Sequence, residues 1–82
     1  MSKDGRITLN KPLMVSGAKV SSLVMREPTV EDQIVMDEMT GSDIVKEVAM
    51  FANLCQMAPE DIRKLTLKDY RQLQEVFKAF VV

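Results

Sequence analysis

Arg26-Glu27-Pro28-Thr29-Val30-Glu31-Asp32 is the stretch at which the hydrophobic pattern of the chain changes period. Pro28 disfavours helical geometry in Glu27, Thr29 is suited to cap a helix, and Asp32 stands three residues on, where an acid completes a capping box. Strand chemistry lies before this junction and helix chemistry after it. The expected fold is therefore α+β: an N-terminal β-hairpin followed by a small bundle of three to four α-helices.

On the N-terminal side, from Arg6 to Arg26, Ile7, Leu9, Leu13, Val15, Val20, Leu23, Val24 and Met25 favour strand, with Ser16-Gly17-Ala18-Lys19 as the turn. Ile7 and Leu9 alternate with Thr8 and Asn10, as on a sheet with one covered face and one wet face. Pro12 lacks a backbone donor and belongs at an edge or a bulge. Residues 1–5 are expected to be a flexible lead-in, 6–26 the hairpin and 29–80 the helical part, all within one domain. Two strands alone are marginal in water, so the ribbon must lean on the helices or pair with another chain.

On the C-terminal side, the first helix is expected to run from the Thr29 cap to about Thr40. Gly41 would then take the left-handed position after it, and Ser42 would cap the next helix at once. The second helix, about Asp43 to Gln56, is apolar nearly all round, with Asn53 the one polar side chain between Glu47 and Gln56. Such a helix is either central in its fold or part of an interface, and a domain this small needs one element that the others cover. Pro59 opens a short third helix to about Leu65. Thr66 and Asp69 repeat the capping signature ahead of a Leu67, Tyr70, Leu73, Val76, Phe77, Phe80 stripe, which reads as core.

The 82 residues carry 11 bases and 12 acids, a formal charge of -1. That balance argues against broad attraction to nucleic acid or an anionic membrane. No apolar run approaches the roughly 20 residues of a membrane span. Between Arg26 and Lys46 there are six acids and no base, so one end of the molecule is expected to be acidic. Solvated helix faces and first-turn acids account for the same residues, and a basic partner is the sharper alternative.

Catalytic signals are missing. The chain has no histidine, so histidine-dependent triads and His-ligated metal sites within one chain are excluded. The lone Cys55 sits on the apolar second helix and reads as a small buried hydrophobe. Glu31/Asp32, Asp37/Glu38 and Glu60/Asp61 are adjacent pairs on expected helices, where neighbouring side chains point about 100 degrees apart. Gly5, Gly17 and Gly41 are too scattered for a phosphate loop, and no calcium-loop order occurs. Neither an enzyme nor a cofactor site is expected. A helix-turn-helix could be assembled from the second and third helices, but its recognition element would open with Glu60 and Asp61, which repel phosphate.

Leu23-Val24-Met25-Arg26-Glu27-Pro28-Thr29 and Pro59-Glu60-Asp61-Ile62-Arg63-Lys64-Leu65-Thr66-Leu67-Lys68-Asp69-Tyr70, with the strand-rich opening and the closing Phe77-x-x-Phe80, resemble the phage tail assembly chaperones of contractile-tailed phages, the family that includes the Mu-like tail proteins. The similarity runs from about Ile7 to Phe80. The chain departs from the family pattern before Ala58-Pro59, where members often have a small residue such as glycine and this one has Cys55-Gln56-Met57. The resemblance implies a protein of the host cytoplasm that is needed to build the tail and absent from the finished virion. Its implied partners are the tape measure protein, the tail tube protein and a longer, frameshifted form of itself. A small DNA-binding regulator and a structural tail or adaptor protein are the competing classes.

A holdase needs reversible apolar contact rather than a catalytic pocket. Seven methionines supply soft, adaptable surface where they are exposed, and otherwise fill gaps in the core. The candidate partner-binding residues are Met36 and Met39 on the first helix, Met50 on the second and Met57 in the next corner, with Glu31, Asp32 and Asp37 as an acidic rim. Together they predict a groove beside the first two helices that takes an amphipathic helix of the client. The hairpin edge or the apolar second helix could also mediate homo-oligomerisation.

Overall fold

The computed structural model describes residues 5–82. Strands β1 (Arg6–Val15) and β2 (Ala18–Val24) form an antiparallel hairpin. Helices α1 (Val30–Glu38), α2 (Asp43–Cys55), α3 (Pro59–Ile62) and α4 (Leu67–Val81) follow. The expected α+β order of a hairpin and then helices is what the chain adopts.

The hairpin turn is tighter than the expected four residues. Ser16 and Gly17 alone make it, both at positive φ (50° and 82°), the geometry that matches the twist of paired strands. Thr8 pairs with Ser22 and Leu13 with Val20, so the stretch from Leu9 to Pro12 spans Ser21 alone. Pro12 thus lies in an irregularity of the ladder, where its missing N–H costs no strand pairing. Ile7, Leu9, Leu13 and Leu23 are buried, and the side chains that alternate with them along β1 face outward.

Residues 1–4 of the expected lead-in lie outside the described residues, but Gly5 is not loose. It is buried at φ +76°, and its carbonyl accepts from the Met25 N–H at 2.9 Å. A Cβ there would stand 1.9 Å from the Met25 carbonyl oxygen, so only glycine fits this approach.

The junction is built as its sequence implies. Thr29 caps α1, the Asp32 carboxylate reaches back to the Thr29 N–H at 2.8 Å, and both halves of the capping box are present. α1 ends at Glu38, short of the expected Thr40, and Met39 is already extended. Its last turn carries Asp37 and Glu38 and no base, which disfavours continuation against the helix dipole. Gly41 (φ +120°) therefore serves the connection instead of closing α1.

α2 ends as expected. Gln56 takes the left-handed conformation (φ 56°, ψ 50°) and donates to the Asn53 carbonyl at 3.2 Å, while the Met57 N–H reaches the Ala52 carbonyl at 2.8 Å. This double closure usually has glycine at the left-handed position. Here the departure from the family pattern places a glutamine in a conformation that glycine adopts at lower cost.

α3 is a single turn, shorter than the expected run to Leu65. Arg63 to Leu65 form tighter turns, with the Lys64 and Leu65 N–H groups donating to the Asp61 and Ile62 carbonyls, because Thr66 must be extended to cap α4. At four residues, α3 is too short to lie along a DNA groove, which removes the recognition element of the helix-turn-helix alternative.

α2 is the central element. Val48, Met50, Phe51, Ala52, Leu54 and Cys55 are buried there, beneath Ile7, Leu9, Leu13, Leu23 and Met25 of the hairpin and beside Ile62, Tyr70 and Leu73. Phe51 touches the rings of Tyr70 and Phe77, each at a centroid distance of 5.6 Å. The Tyr70 hydroxyl donates to Glu47 at 2.6 Å, and burial followed by that bond pushes its pKa upward. Burial also pushes the Cys55 thiol up to about 11, which leaves it protonated at neutral pH.

A polar lock also joins the hairpin to the helices. Asp69, the third residue of α4, has no exposed surface. Its carboxylate accepts from the main-chain N–H groups of Asn10 (2.8 Å) and Lys11 (3.0 Å), in the irregular part of β1, and from the side chains of Asn10 and Gln72. Gln72 also donates to the Thr8 carbonyl. Burial raises the Asp69 pKa, but the donors around it outweigh that and hold it below the usual carboxylate range.

Candidate functional site

α1 rests mainly on α2, and the two helices leave a cleft between them. Its near end is fixed by charge. The Arg26 guanidinium forks onto Asp32, with Nη1 to Oδ2 at 2.8 Å and Nη2 to Oδ1 at 3.0 Å, and Asn53 Nδ2 reaches Oδ1 from α2 at 3.3 Å. Arg26 first, and then the Thr29 N–H, hold the Asp32 carboxyl far below its ordinary range. The Arg26 N–H meanwhile donates to the Leu54 carbonyl at 3.0 Å. One arginine thus ties the hairpin exit, α1 and α2 together.

Beyond this clamp the cleft is apolar, lined by Val35, Met36, Met39, Ala49 and Met50, with Asp32 and Asn53 at the clamp. Its volume is about 130 Å³. Cavities near 150 Å³ hold a benzene-sized group, so this space takes one large apolar side chain. It falls short of the several hundred Å³ usual for a cofactor or drug-sized ligand.

Four of the seven expected site residues line this cleft: Asp32, Met36, Met39 and Met50. Their roles differ. Met36 and Met39 are half-buried and line its walls, Met39 from just beyond the end of α1. Met50 is buried (6% exposed) and forms the floor, so it is core first and surface second. Asp32 is a clamp rather than a rim acid, and reversing its charge would break the α1 cap as well as the Arg26 pair. Glu31 and Asp37 are exposed on α1 outside the lining, and Asp37 accepts from Gln33 at 3.2 Å. Met57 is half-buried against the core and does not reach the cleft.

Val35, Ala49 and Asn53 complete the lining and were not among the expected site residues. The lone polar residue of an otherwise apolar stretch was the available signal for Asn53. Ala49 stands one turn before it on the same face of α2. No comparable signal marks Val35.

Among the described residues, no three His, Cys, Asp or Glu side chains converge where they could hold a metal ion, and no helix is long and apolar enough to cross a membrane. No curated protein and no solved structure matches the chain. A family model described as phage tail assembly chaperone proteins, E, or 41 or 14, matches residues 6–82. The match takes in the hairpin, the Arg26–Thr29 junction, the cleft and the Thr66–Tyr70 lock together, and the chain belongs to the phage tail assembly chaperone family.

Proposed function

We propose that the α1–α2 cleft is where this chaperone holds the tape measure protein during assembly of a contractile tail, and that the complex so formed recruits tail tube subunits. The chain acts without catalysis, in the host cytoplasm, and is left out of the finished virion. A longer frameshifted form of the same chain would carry the same cleft. The observation that supports this most directly is the pairing of a one-side-chain apolar cleft, walled by Met36 and Met39, with an α1 whose free charges are all acidic. An amphipathic client helix would set one large apolar residue into the cleft and place basic residues along Glu31 and Asp37. Methionine walls adapt to different apolar side chains, which suits contact at several points along a long, helix-rich client.

Co-expression with the tape measure protein followed by pull-down tests the reading. Reversing Glu31 and Asp37 to lysine is expected to weaken capture about tenfold at low salt, with the difference shrinking in molar salt. Both side chains are exposed and outside the α1 cap, so the fold is retained. Equal capture at low salt removes the acidic rim from the proposal, and no capture by the unmodified chain removes the client itself.

A further inference from the structure

Two surfaces that the cleft does not use are complementary to each other. On α1, Val30 (77% exposed) and Ile34 (45% exposed) stand one turn apart on one face. The charged side chains beside them, Glu31, Asp37 and Glu38, make no ion pair within the described residues. Where the first turn of α2 meets α3 and the start of α4, Ile44, Val48, Ile62, Leu65 and Leu67 line an open groove of about 200 Å³. Ile44 is 52% exposed and Leu67 70%. Among the described residues, Arg63 is the only charged one lining this groove.

The α4 side of the groove adds two further bases. Lys68 follows Leu67, and Arg71 stands one turn beyond Leu67 on the same face of α4. Neither they nor Arg63 makes an ion pair within the described residues. Of the nearby acids, Asp61 is paired with Lys64 at 3.4 Å, Glu47 is occupied by Tyr70 and Gln74, and Asp43 at the start of α2 and Glu60 on α3 are exposed, so the bases of this face outnumber its free acids by three to two.

We infer that the occupant of this groove is α1 of a second copy of the chain, with Val30 and Ile34 in the apolar trough and the α1 acids against Arg63, Lys68 and Arg71. Donor face and acceptor groove lie on different elements, so the contact is head-to-tail. A docked pair still offers one free face and one free groove, and such a contact extends into a row unless it closes on itself. A row of copies presents its α1–α2 clefts repeatedly, a geometry suited to coating an elongated client. The inference shares the α1 acids with the proposed client rim but uses neither the cleft nor its lining, so its test is placed at Ile34, Leu67 and Arg63 and is read as self-association with no client present.

Sedimentation velocity of the full chain tests it. The unmodified protein is expected to rise above the 9.3 kDa of one chain with increasing concentration, and to fall back towards it in molar salt. Ile34→Glu disables the donor face and Leu67→Glu the groove. Each variant alone should be monomeric with an unchanged circular dichroism spectrum. Mixed in equal amounts they should form a 1:1 dimer and nothing larger, because one intact helix and one intact groove remain. If Leu67→Glu does not fold, Arg63→Glu takes its place, with self-association weakened about tenfold. A monomeric unmodified chain, association persisting in either variant, or a mixture that stays monomeric would each overturn the inference. So would loss of tape measure capture by Leu67→Glu from a chain that never self-associates, which would assign the groove to the client.

Discussion

Asp69→Ala is expected to lower the unfolding free energy by about 3 kcal/mol, read as a shifted midpoint in urea with an unchanged slope. A chain of this length has about 4 to 12 kcal/mol in total, so the loss approaches the whole stability at the lower end. The size follows from what the carboxylate satisfies. The N–H groups of Asn10 and Lys11 sit where β1 slips out of register, and neither residue is paired with β2. Deleting their acceptor strands two main-chain donors at a part-buried junction, where each costs up to roughly 1 to 3 kcal/mol. Asp69→Asn keeps the volume but turns an NH₂ group towards donors, so its loss should come within about 1 kcal/mol of the alanine variant. An asparagine variant as stable as the unmodified chain would show that the lock is not made by the acceptor.

Acid reads the same lock independently. The Asp69 carboxyl is held below its unfolded value of 3.8, and so is that of Asp32. Proton uptake therefore favours the unfolded chain. The stability these groups contribute is fully present above about pH 5 and is lost as pH falls through 4 and below. Asp69→Ala should show a shallower decline over that range, with the remainder belonging to Asp32. Equal slopes for the variant and the unmodified chain would mean that Asp69 is not ionised in the lock.

Local chemistry made much of this fold legible. Thr29 with Asp32 and Thr66 with Asp69 read as helix starts and are helix starts, and Pro12 falls in the irregular part of its strand. The two cap acids also have second roles that spacing does not reveal. Asp69 meets Asn10 across 59 positions, and Asp32 meets Asn53 across 21, so only the folded chain brings those partners together. The same limit explains the methionines. Met36 and Met50 look alike in sequence, and the placement of α1 over α2 decides that one walls the cleft and the other forms its floor. Helix lengths failed where a neighbouring element imposed a boundary, as the Thr66 cap does on α3.

The motifs that carry the family resemblance acquire physical roles from these contacts. Arg26 clamps Asp32 and the α2 backbone, Thr29 caps α1, Asp69 holds the hairpin, and Tyr70 packs on Phe51 while donating to Glu47. All four hold the frame together, and none wholly faces solvent through a free functional group. Specificity for a client must then reside in positions outside them, which directs attention to the walls of the cleft.

Ala49→Leu is expected to abolish most capture of the tape measure protein while leaving the chaperone folded. Ala49 is half-buried on α2 and points its methyl into the cleft lining. Three added carbons would fill much of the cleft of about 130 Å³ in which the client side chain is proposed to sit, without displacing a core residue. Leucine is nearly as good a helix former as alanine, so the cost in α2 is small, and new contacts with Met36 and Met39 offset it. Stability should stay within about 1 kcal/mol of the unmodified chain. Loss of a central apolar anchor typically costs 2 kcal/mol or more of binding, so affinity should fall about thirtyfold or further. Ala49→Ser leaves the space open and should bind nearly normally, which separates a blocked cleft from a disturbed helix. Should the leucine variant capture its client undiminished while the melting curve stays put, the client seat lies on another face of the molecule.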